Sequence, residues 1–379
     1  MDFNLTEEHQ LIRQSVKEFC DRYVCPIADE VDQEPRFPAE TIKKLAEQDW
    51  MGISYPVEYG GAGADYLSYV IVLEELSRAC ATTGFIVESH SLAGFPLLKF
   101  GTEEQKQKYL TPLCKGEILG SFALTEPEAG TDAAAGTTTA VADGNEWVLN
   151  GSKIFISNAP VAGVIVVFAM TDKSRGPDGG MSAFIVPAGT PGLEIGRHLK
   201  KMGIRGSLTA EVFLKNCRIP KENLLGVEGQ GGEISMMTID GGRIGIAAQA
   251  VGIAQAALDE SIKYSRERIQ FGKPIGTFQA VQWMIANMAT ELQASRLLTY
   301  QAAWSYDQGL PFGSEAAMAK LFASETASRQ TDRAIQIHGG IGYVKGSKVE
   351  RLYRDAMITV IYSGTSESMR MAIAGGLLR

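Results

Sequence analysis

Trp147-Val148-Leu149-Asn150-Gly151-Ser152-Lys153-Ile154-Phe155-Ile156 is the stretch that divides this chain. Its two flanks are β-branched and aromatic, suited to a pleated, half-buried backbone. Asn150-Gly151 between them has the chemistry of a tight two-residue turn, so a β-hairpin is predicted here. Val164 to Phe168, Ala183 to Val186 and Glu211 to Leu214 are further strand-like runs, separated by Gly, Pro and Asp clusters. With no helical period among them, the region suits a small barrel or sandwich.

Working outward, the period changes on both sides. From Leu5 to about Cys114 it is helical: Thr6 is placed to cap a helix that begins with Glu7 and Glu8, and Ile12, Val16, Phe19 and Tyr23 recur on one face. Thr102 and Gln105 have capping-box spacing. Tyr59 to Gly63 and Gly94 to Pro96 are expected to be loops or helix ends. After Gly232, Ile244, Ala248, Val251, Leu258 and Ile262 mark a long helix, and Ile285, Met288 and Leu292 mark another. Gly272 with Pro274, and Gly309 with Pro311, mark the breaks between helices. The expected fold is multidomain α+β: an N-terminal α-helical domain over 1–118, a middle β-barrel over 119–231 and a C-terminal four-helix bundle over 232–379.

The 379 residues carry 36 Lys and Arg against 44 Asp and Glu, a net −8 that speaks against a nucleic-acid surface. No apolar run approaches the length of a membrane helix, and Met1 to Gln10 lacks the basic start of a signal peptide. The five cysteines are scattered with no Cys-x-x-Cys pair, which suggests neither a disulfide framework nor a metal site. A cytoplasmic protein without a membrane span is expected.

Six stretches carry more specific information: LTEPEAGTD at 124–132, KIFISN at 153–158, IDGGRIGIA at 239–247, RERIQFG at 266–272, QIHGGIGY at 336–343 and VERLYRDA at 349–356. Each has an ordinary reading: a polar loop, core packing for Phe155, a surface salt bridge for Arg268, a helix C-terminus at Gly339-Gly340, a solvated helix face for Arg243. Together, and in this order along nearly the whole chain, they resemble the acyl-CoA dehydrogenases, especially the short-chain bacterial type. The resemblance implies FAD as cofactor, an acyl-CoA thioester as substrate, an electron-transferring flavoprotein as electron partner and a homotetramer.

It also implies roles. Leu124, Thr125, Gly130 and Thr131 would line FAD, with Phe155, Ile156 and Ser157 against its ring system. Arg268 and Phe271 would reach its pyrophosphate, and Gln336, Gly339 and Gly340 would receive the FAD of a neighbouring subunit. Thr365 and Glu367 would also meet FAD, while Asp240, Arg243 and Gly364 would contact the CoA substrate. No metal is implied.

One place departs from the family. In IYSGTSES, 361–368, the family pattern has the proton-abstracting glutamate where this chain has Ser363. A subset carries its base at the place of Gly242, which offers nothing either. A neutral serine is a poor base, although its backbone N–H remains able to polarise a thioester carbonyl. Thr83 to Phe95 resembles the family helix that lines the acyl pocket, and Glu88 and His90 stand there among apolar neighbours. Glu88, or else His90, is therefore the candidate displaced base, against the plain alternative that Glu88 faces solvent or pairs with a cation. A base on that wall would reach a proton beyond Cα, as in 1,4-dehydrogenation of a short alicyclic or unsaturated acyl group such as cyclohexenecarboxyl-CoA. The alternatives are an ordinary short-chain 2,3-dehydrogenase, an engineered base-less variant of one, or a protein that binds FAD and CoA with little catalysis.

Overall fold

The computed structural model describes residues 4–176 and 179–378. Helix α1, Glu7–Phe19, starts where expected, with the Thr6 side chain accepting from the His9 N–H. Helices α2, Tyr66–Ala79, and α3, Ala81–Phe100, follow, and the capping box at Thr102 and Gln105 is formed. Gly94 and Pro96 depart from expectation, since both lie inside α3. Gly94 is seated against the Tyr55 ring, where an added Cβ would lie 2.4 Å from the hydroxyl oxygen. Packing along the whole length of α3 thus carries it through a proline that would end an exposed helix.

The middle sheet has eight strands: β1, Leu119–Ala123; β2, Thr139–Asp143; β3, Glu146–Ser157; β4, Ala162–Met170; β5, Met181–Pro187; β6, Leu193–His198; β7, Thr209–Pro220; and β8, Leu224–Leu225. The expected barrel is not formed. The hydrogen-bonded path runs β6-β7-β3-β2-β4-β5-β8, with β1 added beside β4, and its two end strands do not pair with each other. Only Thr139 and Met170 join β2 to β4, so the sheet is pinched into two leaves. Trp147, Leu149, Val212 and Leu214 from one leaf pack against Ile165, Val167, Phe184 and Val186 from the other. The leaves bury a shared face without closure, and a period of two reports which face is buried but not whether the edges meet.

The predicted hairpin at Asn150-Gly151 is also corrected: β3 runs through it as one 12-residue strand. Its first half pairs with β2, and its pairing with β7 shifts register between Leu149 and Gly151. Asn-Gly supplies a bulge here, because the strand must continue to reach both partners. The turn lies earlier, at Gly144-Asn145, where Gly144 has φ 61° and Asp143 pairs with Glu146.

Three long helices follow: α4, Gly231–Glu267; α5, Gln279–Asp307; and α6, Gly313–His338, with breaks at the glycine-proline positions as expected. Helices α7, Lys348–Met357, and α8, Ser366–Leu377, complete the C-terminal part. α4 is rich in Gly and Ala because it packs against α2, α3, α5 and α6. Small side chains allow those close approaches: a Cβ on Gly252 would come within 2.2 Å of the Glu74 carbonyl on α2. No helix among the described residues is long and apolar enough to cross a membrane.

Candidate active site

Helix α3 is buried over most of its length, and Glu88 sits in its middle, 1 % exposed. Neither carboxyl oxygen has a hydrogen-bond partner among the described residues. Burial raises the carboxyl from 4.5 to about 8. The side chain lines a cavity between α2, α3 and α4, together with Tyr55, Tyr66, Tyr69, Leu92 and Phe95. Four other polar groups in that wall are already used. The Tyr55 hydroxyl donates to the Ser91 carbonyl, that of Tyr66 to Gly241, that of Ser91 to Val87 and that of Thr238 to Ile234. Ser54, Tyr69 and Tyr306 line it too, so the cavity presents aromatic and aliphatic surface, a few hydroxyl-bearing side chains and one carboxyl group. A buried polar group without a partner calls for a ligand or a chemical role.

His90 is placed differently. Its Nδ1 accepts from the Gly120 N–H at 3.1 Å, and burial pushes the ring down to about 4, so it is a neutral tie between α3 and β1. It does not line the Glu88 cavity.

Ser363 and Gly364 form a left-handed turn, with φ 49° and 92°, before Thr365 caps α8 by accepting from the Ser368 N–H. Among the described residues the Ser363 N–H has no backbone acceptor. Two cations stand behind this turn. Lys320, fully buried on α6, donates to the Gly364 carbonyl at 2.6 Å, and burial, then Arg243, lower its ammonium to about 8. Arg243 lies close by, since a Cβ on Gly364 would be 3.8 Å from its Nη2, and it pairs with Asp240. Burial outweighs that pair, raising Asp240 and lowering Arg243. Tyr362 links the turn to the Glu88 helix: its ring stacks on Phe85 at 4.8 Å, one turn before Glu88, and its hydroxyl donates to Gln249.

A second, larger cleft opens between the sheet and the C-terminal helices. Phe155, Met202, Met357, Ile358 and Ile361 form its apolar walls, and Arg197, His198, Lys200 and Lys201 give it a basic side. Phe155 is 64 % exposed and has φ 60°, in a part of β3 where pairing with β7 again shifts register, between Lys153 and Ile156. A bulge of this kind re-aims a side chain, and here it turns an aromatic ring out of the sheet. Ile156 points into the core, and the Ser157 hydroxyl lies 3.5 Å from that of Thr209.

The segment from Leu124 is held by a pair that sequence reading passed over. Buried Lys153 donates to the Leu124 carbonyl at 3.0 Å and to Glu126 at 2.7 Å, and Glu126 also accepts from the Thr137 and Thr138 N–H groups. Burial would raise the Glu126 carboxyl, but Lys153 and these hydrogen bonds outweigh it and hold the group near 2. Removing one partner of such a pair costs about 3–5 kcal/mol. A lysine directly before the apolar run Ile154-Phe155-Ile156 was the available signal.

The remaining candidates lie apart. Gly130, Thr131 and Glu367 are exposed, and Thr125 is half-buried. Arg268 and Phe271 belong to a small ribbon, Ile269–Gln270 with Lys273–Pro274, from whose tip Phe271 projects at 93 % exposure. Gln336, Gly339 and Gly340 are exposed at the end of α6. None of these lines the Glu88 cavity or the larger cleft.

The sequence matches three family models in succession: the acyl-CoA dehydrogenase N-terminal domain over residues 6–117, the middle domain over 121–217 and the C-terminal domain over 229–378. It is 50% identical over 380 residues to a short-chain specific acyl-CoA dehydrogenase of Clostridium acetobutylicum, covering 100% of both chains. Among solved structures, butyryl-CoA dehydrogenase from Megasphaera elsdenii superposes with a TM-score of 0.98 at 45% identity, covering 100% of both chains. The FAD complex of PigA does so with a TM-score of 0.95 at 32% identity, over 100% of this chain and 99% of that one.

Proposed function

Because the chain belongs to the acyl-CoA dehydrogenase family, we propose that it oxidises its acyl-CoA substrate with Glu88, not residue 363, as the base. It is an FAD-dependent oxidoreductase acting on acyl-CoA thioesters. The larger cleft fits the cofactor: Phe155, Met202 and Ile361 are exposed apolar groups in a concavity, the kind of surface that a planar ring system covers. Phe155 would hold the ring; Leu124 and Thr125 lie outside that cleft, on backbone that the Lys153–Glu126 pair fixes. FAD, when bound, supplies the hydride acceptor.

The observation that carries the reading is the Glu88 carboxyl, buried and unpartnered in a largely aromatic and aliphatic cavity. No carboxylate stands at 363 or 242 to take a proton from Cα. Glu88 would instead take one from the γ carbon of an α,β-unsaturated acyl group, where conjugation to the thioester makes the C–H acidic. The electron pair of that C–H bond moves into conjugation with the carbonyl, a hydride leaves from the other ring carbon bonded to Cα, and a conjugated diene results. Glu88 ends protonated. The Ser363 N–H would donate a hydrogen bond to the thioester oxygen, with Arg243 and Lys320 favouring the negative charge that develops there. Largely aromatic and aliphatic walls suit a compact apolar acyl group, and cyclohexenecarboxyl-CoA has the required γ carbon.

A second reading is ordinary 2,3-dehydrogenation of a short saturated chain, favoured by the similarity to short-chain and butyryl-CoA dehydrogenases. Anaerobic bleaching of the flavin by a small panel of acyl-CoAs decides between them. Rapid bleaching by cyclohexenecarboxyl-CoA and slow bleaching by butyryl-CoA is expected; the reverse order favours the second reading, and bleaching by none would mean a binding protein. An electron-transferring flavoprotein is the electron partner of this proposal. Exposed Phe271, Tyr343 and Val344 support a further copy of the chain as the cover of that surface, in a homotetramer.

A further inference from the structure

The Glu88 carboxyl has no hydrogen bond to aim it, and what touches it instead is glycine. Gly242 and Gly245 are three residues apart on α4, hence on one face, and that face meets Glu88. A Cβ built on Gly245 would lie 2.9 Å from Glu88 Cγ, 3.3 Å from Leu73 Cδ1 and 3.6 Å from Glu88 Oε1. One built on Gly242 would lie 3.1 Å from Glu88 Oε1 and 2.7 Å from Leu92 Cδ2. The neighbouring glycines of the same helix are there for other reasons. Gly252 admits the backbone of α2, and Gly241 meets nothing nearer than 3.5 Å.

We infer that Gly242 and Gly245 are positioning residues, cutting a slot in α4 that holds the Glu88 side chain and sets where its carboxylate meets the substrate. The inference rests on the reading of Glu88 as the base. The two glycines differ in what they control. Glu88 Cγ is one bond from a Cβ fixed by the α3 backbone, so a methyl at 245 cannot be avoided by rotating a remote torsion, and the carboxylate must move with the stem. A methyl at 242 meets the end of the Leu92 side chain, which can turn away, and presses only lightly on Oε1. Glycine inside a 37-residue helix weakens it relative to alanine, so a helix serving only as a scaffold would gain from alanine at both places.

A double-mutant cycle tests the slot. Gly245→Ala, Glu88→Gln and the double variant are prepared as holoenzymes, flavin content is checked by absorbance, and the limiting rate of flavin reduction by cyclohexenecarboxyl-CoA is measured across pH. Gly245→Ala alone is expected to lower the limiting rate at least about tenfold, because a base displaced by part of an ångström is badly aimed. It should also move the apparent pKa of the rate, with little change in half-saturation by the acyl-CoA. In the Glu88→Gln background the same substitution is expected to change the rate less than about twofold, since the two residues act as one unit. An equal loss in both backgrounds, or no loss in the presence of Glu88, overturns the slot while leaving the base assignment standing. A full rate in Glu88→Gln overturns the base assignment itself, and with it the slot. Should Gly245→Ala lose its flavin, the cycle is run with Gly242→Ala, for which a smaller loss confined to the Glu88 background is expected; equal loss in both backgrounds, or none, counts against the slot.

Discussion

Glu88→Gln is expected to slow flavin reduction by the acyl-CoA substrate about 10²- to 10⁴-fold, the usual worth of a positioned general base. Flavin content and acyl-CoA affinity should be retained, because the carboxyl makes no hydrogen bond that glutamine would break. Burial pushes the carboxyl up to about 8, so the parent rate should climb with pH up to about 8 and then level off, and this limb should be missing in the variant. The same group affects stability with a definite sign. Folding raises its pKa from 4.5 to about 8, so nothing is lost below 4.5, and native stability falls as pH rises from there through 8. Glu88→Gln removes that loss. Its thermal midpoint should exceed the parent's at pH 8 and match it near pH 4.5. A variant that is slow but no more stable at pH 8 would mean that the carboxyl is already ionised in the resting protein.

Ser363→Glu is expected to give the opposite kind of change, a gain of ordinary chemistry. The turn at 363 and 364 is already left-handed, so a longer side chain can be carried there at little added backbone strain. Lys320 and Arg243 stand behind it and would keep a new carboxylate ionised. Bleaching of the flavin by butyryl-CoA should rise by about 10²-fold or more, since a general base then faces the Cα proton. Unchanged bleaching, with flavin retained, would mean that this turn does not face the reacting carbons. The third expectation, the dependence of Gly245→Ala on Glu88, separates aim from chemistry at the same carboxylate.

Much of the fold was readable from local chemistry. The cap at Thr6, the box at Thr102 and Gln105 and the breaks at Gly272 and Gly309 are set by neighbours in sequence, and they appear where the residues put them. Features decided by distant partners were not readable. Asn150-Gly151 has the composition of a turn but serves β3 as a bulge, because β2 and β7 both pair with that strand. Barrel closure depends on whether the end strands meet, and alternation along a strand carries no information about that. Glu88 was legible as a charge within an apolar helical run, and the structure gives that anomaly a cavity. His90 looked equivalent two residues on, but a two-residue step on a helix turns the side chain toward another neighbour, in this case the Gly120 N–H. Gly245 and Lys320 act through contacts across elements and leave no local trace.

The central claim is that Glu88 takes a proton from beyond Cα. It is tested most directly by deuterium uptake from solvent into bound cyclohexenecarboxyl-CoA, using enzyme whose flavin has been reduced beforehand so that no hydride can be accepted. Mass spectrometry of the recovered thioester locates the label. One deuterium at the γ carbon with the parent enzyme, and none with Glu88→Gln, is the expected result. Uptake that persists in Glu88→Gln would contradict it.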